Sequence, residues 1–166
     1  MGKITILTAE NMTLTTAIRE LVLIQTAAAG AAASHIRVKR VEISQNGTTT
    51  LQMIRGSFHT QTGTTTTGTS TTPATISPLG GAASGLTGNT NVGGGTARSG
   101  TNLSVNTTPA KTVHHYFNFA NLNGYIWKPD PQEELWIPPS TLWGIDFLAD
   151  PTTLAGWTVS VVLDEN

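Results

Sequence analysis

A chain of 166 residues can bury the core of one domain, and a net charge of −1 gives it no general attraction to phosphate backbones or anionic lipid, so neither nucleic acid nor membrane is expected as a partner. The absence of cysteine excludes disulfide staples, thiolate nucleophiles and cysteine metal sites. Only 11% of residues are charged, against roughly 25% in an average soluble domain. Disordered chains are usually rich in charge and poor in aromatics. Here the four tryptophans gather toward the C-terminal end, which points to a packed β protein.

In chain order, Ile4 and Ile6 alternate with Lys3 and Thr5, which predicts a short strand. The first ten residues lack the apolar stretch of a signal peptide, so synthesis and folding in the cytosol are expected. Residues 18–25 fit a helical stripe through Leu14, Ala17, Ile18, Leu21 and Val22, or a buried strand. The preceding threonines favour the strand. Leu21-Val-Leu-Ile24 is too short to cross a bilayer. Ala27 to Ala33, broken by Gly30, reads as a loop or a single helical turn.

Over 35–44, Ile36 and Val38 fall on one phase and Val41 and Ile43 on the other. The slip at Lys39-Arg40 predicts a β-bulge. Asn46-Gly47 is the strongest hairpin signal in the chain and predicts a turn into a strand over 49–56.

Residues 60–76 hold ten threonines, broken by Gly63, Gly68 and Pro73; glycines then recur up to Gly93-Gly-Gly95. No acidic residue occurs between Glu42 and Asp130. Such a stretch buries too little apolar surface to offset its ordering entropy. Residues 59–110 are therefore expected to form a low-complexity arm within a single domain spanning 1–166, held by neighbouring subunits. Its candidate assembly contacts are Thr64, Thr65, Thr66, Thr67 and Arg98.

Alternation returns after the arm. Val113, His115, Phe117 and Phe119 share one face, and Thr112, His114, Tyr116 and Asn118 the other. Asn123-Gly124 marks a turn, and short strands follow at 125–128, 135–137, 141–148 and 157–163. About eight strands at such spacing predict an all-β sandwich of jelly-roll type.

Few residues combine into recognisable chemistry. His114 and His115 are adjacent on a strand and point to opposite faces, so they cannot easily share a metal. A histidine from each of three subunits meeting on an axis is the sharper alternative. Asp130, Glu133 and Glu134 would be the acid/base candidates of a carbohydrate-active enzyme, but they sit among prolines in a turn and read as a solvated loop or contact charges. Asp146, between Ile145 and Phe147, is expected to face solvent or an arginine. No Gly-x-Ser-x-Gly elbow is present, and Gly93-Gly-Gly95 lacks a following Lys-Ser/Thr. Asn11, Asn46, Asn102 and Asn106 open Asn-x-Ser/Thr triplets, as expected by chance in a chain rich in Asn and Thr. No catalytic residue, metal or cofactor is expected, and the chain reads as non-enzymatic.

Arg37, Lys39 and Arg40 form the local basic cluster, either a solvated strand edge or a contact to a neighbouring subunit. Trp127, Trp143 and Trp157 read as core, while Trp136, just before Ile137-Pro-Pro139, can sit at a rim.

Several short motifs occur together: Met1-Gly-Lys-Ile with Ala9-Glu10-Asn11, Val41-Glu-Ile-Ser-Gln45, Met53-Ile-Arg-Gly56, a Gly/Thr/Pro tract, and Glu134-Leu-Trp-Ile-Pro-Pro139 before an apolar last strand. In this order the chain resembles small virion structural proteins of tailed phages, of the head-decoration or cement type. The threonine run 60–76 departs from that pattern. The resemblance implies a trimeric β-sandwich on the outer capsid surface that binds the major capsid protein, and it carries no catalytic residues. The alternative expectation is a fibre or tail module that binds host glycan through tryptophan.

Overall fold

Where one face of a strand is buried, side chains alternate inward and outward, and the last strand shows this most clearly. Trp157, Val159, Val161, Leu163 and Glu165 are buried, while Thr158, Ser160, Val162 and Asp164 between them are only partly so. A computed structural model describes residues 3–14, 20–26, 30, 35–62, 75–79, 96–99 and 111–165. Among these residues there are eleven strands: β1 (Lys3–Met12), β2 (Glu20–Gln25), β3 (Ile36–Gln45), β4 (Met53–Thr62), β5 (Thr75–Pro78), β6 (Thr96–Ser99), β7 (Thr112–Ala120), β8 (Tyr125–Trp127), β9 (Leu135–Ile137), β10 (Thr141–Phe147) and β11 (Trp157–Glu165).

The strands form two antiparallel sheets. The six-stranded sheet runs β5-β1-β11-β3-β8, with β9 also on β3, and the five-stranded sheet runs β6-β2-β10-β4-β7. β8 pairs with Val41 to Ile43 and β9 with Ile36 to Val38, so the two share one edge of β3. If they are counted together and β5 and β6 set aside, every connection between consecutive strands crosses between the sheets, except β4 to β7.

The chain is therefore all-β and a sandwich, as the alternation predicts. β2 is a strand, with Leu21, Val22, Leu23 and Ile24 all buried; this explains the ambiguous periodicity, because a strand covered on both faces has no polar phase. The bulge is where the sequence places it. Val162 lies opposite Arg40 and Leu163 opposite Val38, which leaves Lys39 as the extra residue.

Three expectations are corrected. Asn46-Gly47 does not close a hairpin: β3 and β4 lie in different sheets, and 46–52 carries the chain from one to the other. The strand after it begins at Met53 rather than at Thr49. Residues 59–62, expected in the arm, belong to β4. The body keeps about the eight strand positions expected, with β8 and β9 sharing one, while β5 and β6, within the expected arm, add an edge to each sheet, against β1 and β2.

The core between the sheets is aromatic at its centre. Phe58, Trp143, Phe147 and Trp157 are almost wholly buried, each contributing on the order of 2–3 kcal/mol through burial. Phe117 stacks on Tyr125 at 4.6 Å, and Phe147 meets Trp157 edge-on at 4.7 Å, so both contacts tie one sheet to the other. Burial pushes the Tyr125 hydroxyl up to about 12, and that hydroxyl lies 3.1 Å from His115 Nε2. On β1 the inward phase is Thr5, Leu7 and Ala9, which leaves Ile4 and Ile6 on the outer face.

The crossing loop after β3 is fixed against the segment before β11. The Asn46 amide donates to the Gly156 carbonyl at 2.9 Å, and Gly156 has φ +80°, where a Cβ would run into the Asn46 carbonyl. Gly47 also has positive φ (+121°), with open space around it. Gly156→Ala is therefore expected to cost about 3 kcal/mol and Gly47→Ala about 1 kcal/mol, as read from urea unfolding midpoints.

Candidate functional site

The bulge at Lys39 decides what the six-stranded sheet shows to solvent. Ile36 and Val38 point inward before it, and Val41 and Ile43 after it. The extra residue places Lys39 and its neighbour Arg40 on the same outer face, which a regular strand cannot do. Arg37 and Glu42 share that face.

β9 brings Trp136 directly opposite Arg37. The guanidinium carbon lies 4.4 Å from the indole centroid, a cation–π stack, and His35 meets the same indole edge-on at 5.6 Å. Lys39 Nζ is 2.8 Å from both oxygens of Glu134 and 4.0 Å from Asp164. Arg40 pairs with Glu42 at 3.2 Å in the open, where such a pair contributes little. Trp136 remains 49% exposed, and Ile126, opposite Glu42, 70%. A shallow groove of about 330 Å³ on this face is lined by Ile6, Lys39, Arg40, Leu79, Lys128 and Val162.

The structure thus brings Arg37, Lys39, Arg40 and Trp136 together. Arg98 stands apart: it lies on β6 of the other sheet, opposite Leu23. Thr64, Thr65, Thr66 and Thr67 lie outside the described residues. Asp130 and Glu133 are exposed in a turn closed by the Glu133 amide on the Asp130 carbonyl, and Glu134 is taken up by Lys39. The two neighbouring histidines have separate partners: His115 Nε2 lies 3.1 Å from the Tyr125 hydroxyl and His114 Nε2 2.7 Å from Thr60 Oγ1, and a register shift leaves His114 as the extra residue of a bulge. Trp143 and Trp157 are core, and Trp127 packs half-buried against it.

Sequence reasoning missed a polar cluster on the far side of the five-stranded sheet. Asp146 faces neither solvent nor an arginine. Its Oδ1 accepts from Ser57 Oγ at 2.5 Å and lies 3.6 Å from His59 Nδ1, and its Oδ2 is 2.8 Å from Lys111 Nζ. His59 is wholly buried. Burial alone would raise the Asp146 carboxyl, but the adjacent His59 and the hydrogen bonds from Lys111 and Ser57 hold it well below the usual carboxylate range. Burial and then the neighbouring His59 lower His114. The available signal was a carboxylate in an otherwise apolar strand, which must find partners if it is not to face water. The cluster holds a serine, a histidine and an aspartate, but the hydroxyl donates to the carboxylate, so the relay of an activated nucleophile is not formed. Among the described residues no group of three or more His, Cys, Asp or Glu is placed to hold a metal ion.

Comparison with protein-family models, with curated proteins and with solved structures gives no match to this chain.

Because the Asp146 carboxyl is more acidic in the folded chain than in the unfolded one, its ionised form stabilises the fold in full above the ordinary carboxylate value near 4, and this is lost as pH falls toward the folded-state value. Asp146→Asn should therefore cost about 2–4 kcal/mol at neutral pH. The difference from the parent chain should narrow as pH is lowered from about 5 to about 2, as followed by denaturant unfolding at each pH.

Proposed function

We propose that this chain is a non-enzymatic structural protein of a virion: a homotrimeric decoration or cement protein that binds the major capsid protein and stabilises the outer surface of a phage head. The observation that carries this reading is the outer face of the six-stranded sheet. There Arg37, Lys39, Arg40, half-exposed Trp136 and exposed Ile126 lie on one side of a rigid sheet. Arginine and tryptophan are the residue types that most often anchor protein–protein contacts, and a framework of paired strands holds them without further ordering. One feature of the fold supports the reading: the strand order, with the last strand between β1 and β3 and the tenth between β2 and β4, is compatible with a jelly roll, an architecture found in viral capsids.

The rival reading, adhesion to host glycan, now depends on Trp136, since the other three tryptophans pack in or against the core. Its exposure favours a stacking platform, whereas the guanidinium over one of its faces favours a protein contact.

The test is the position of the chain in purified particles, combined with binding of the purified chain to particles that lack it. Density distributed over the shell is expected, with a trimer mass by light scattering. A copy only at the tail tip, or a monomer at particle-binding concentrations, would count against the reading. Arg37→Glu combined with Trp136→Ala should weaken particle binding by about a hundredfold. Trp136 is half-exposed, and Arg37 is partly buried against it and opposite Asp164, so the double variant should stay folded with a melting temperature lowered by no more than about 8 °C.

A further inference from the structure

Ile6 of β1 lies opposite Val162 of β11, and Val162 lies opposite Arg40 of β3. These three outward side chains form a row that crosses the strands at right angles. Leu79, 54% exposed and tied by its amide to the Ile4 carbonyl, closes the β1 end. Lys128, exposed just beyond β8, closes the β3 end. The floor is thus apolar over β1 and β11 and cationic over β3 and β8. With neighbouring strands about 4.8 Å apart, the row from β1 to β8 spans about 14 Å, the length of about four extended residues.

We propose that this groove takes a short acidic segment of a partner protein, with one apolar side chain on Ile6, Val162 and Leu79 and carboxylates two or three residues further along against Arg40 and Lys128. The site deepens the assembly reading above and rests on it. Charge placement decides the occupant. Lys128 makes no salt bridge among the described residues, and Arg40 has only its exposed pair with Glu42. Lys39, the third cation of the lining, is neutralised by Glu134. A continuous polyanion would have to pass Glu42, Glu134 and Asp164 and would leave the apolar half of the floor empty. A segment that changes from apolar to acidic within two or three residues matches both halves.

The test uses the full chain labelled with ¹⁵N, with the capped peptide Gly-Leu-Gly-Asp-Asp-Gly as probe. Amide shifts are expected at Ile6, Arg40, Leu79, Lys128 and Val162. Replacing the probe's leucine by alanine or its aspartates by lysine should abolish them. The double variant Arg40→Glu, Lys128→Glu, whose side chains lie at the surface, should lower probe affinity at least about tenfold without altering the fold. Shifts at other positions, equal binding of the alanine probe, or equal binding of a short DNA duplex or phosphatidylserine vesicles would overturn the proposal. Applying the same double variant to particles separates the two readings. If the peptide fails while particle binding still depends on Arg37 and Trp136, the groove proposal falls and the assembly reading stands; if particle binding itself is absent, the assembly reading falls.

Discussion

The fold depends on the last strand lying between strands far from it in sequence. β11 pairs with β1 on one side, from Lys3 opposite Glu165 to Met12 opposite Trp157, and with β3 on the other. Until that strand is in place, the six-stranded sheet has no centre and the outer row Ile6, Val162, Arg40 does not exist. Glu165, 5% exposed at the end of the inward phase, is held there by the Thr5 hydroxyl, with Lys3 close by. A buried carboxylate is tolerated when it is paired and hydrogen-bonded. Every strand pairing among the described residues joins segments far apart in sequence, so loop closure must precede most of the contacts that reward it, which favours slow folding.

On that frame, one inserted residue has the largest effect on the surface. A regular β3 would put Lys39 and Arg40 on opposite faces, one of them in the core. With the bulge, both leave the core, and Val41 and Ile43 regain the inward phase. Lys39 then reaches Glu134 just before β9, and this contact helps hold the short strand that carries Trp136. The basic cluster and the rim tryptophan, separate signals in the sequence, are thus parts of one surface.

Legibility in the sequence followed from how local each signal is. Strict alternation fixed β11 and the inward phase of Phe117 and Phe119 on β7, and the phase slip fixed the bulge in β3, because both follow from neighbouring residues alone; a second bulge, at His114, broke the expected phase and put Val113 opposite His59 rather than on the face of His115. Asn46-Gly47 was misread because positive φ serves a hairpin and a sheet-to-sheet crossing equally well, and only the partners of the flanking strands tell them apart. Ser57 and His59, a residue apart on β4, meet Asp146 through pairing of β4 with β10, and Lys111 is brought to the same carboxylate by pairing of β4 with β7. No spacing rule within a single strand could find that cluster. β5 and β6 were hidden for another reason: an edge strand of four residues whose pairing is carried by backbone needs no apolar pattern of its own.

The two outer faces offer different surfaces to a partner. At the middle of the five-stranded sheet the outward residues Leu23, Leu142, Ser57, His59 and Gln61 are all buried, so that area is already covered and its polar groups are committed within the chain. A large contact there would have to displace a buried ionic cluster, and breaking such a cluster is costly. The six-stranded sheet presents the reverse: an indole and an isoleucine in solvent, an arginine with its charge spread over the indole, and a groove with an apolar floor. Removing these groups from water costs little and gains burial. Of the two broad faces, the six-stranded one is therefore where docking is physically cheaper, and Arg37 with Trp136 is the pair on which it would turn.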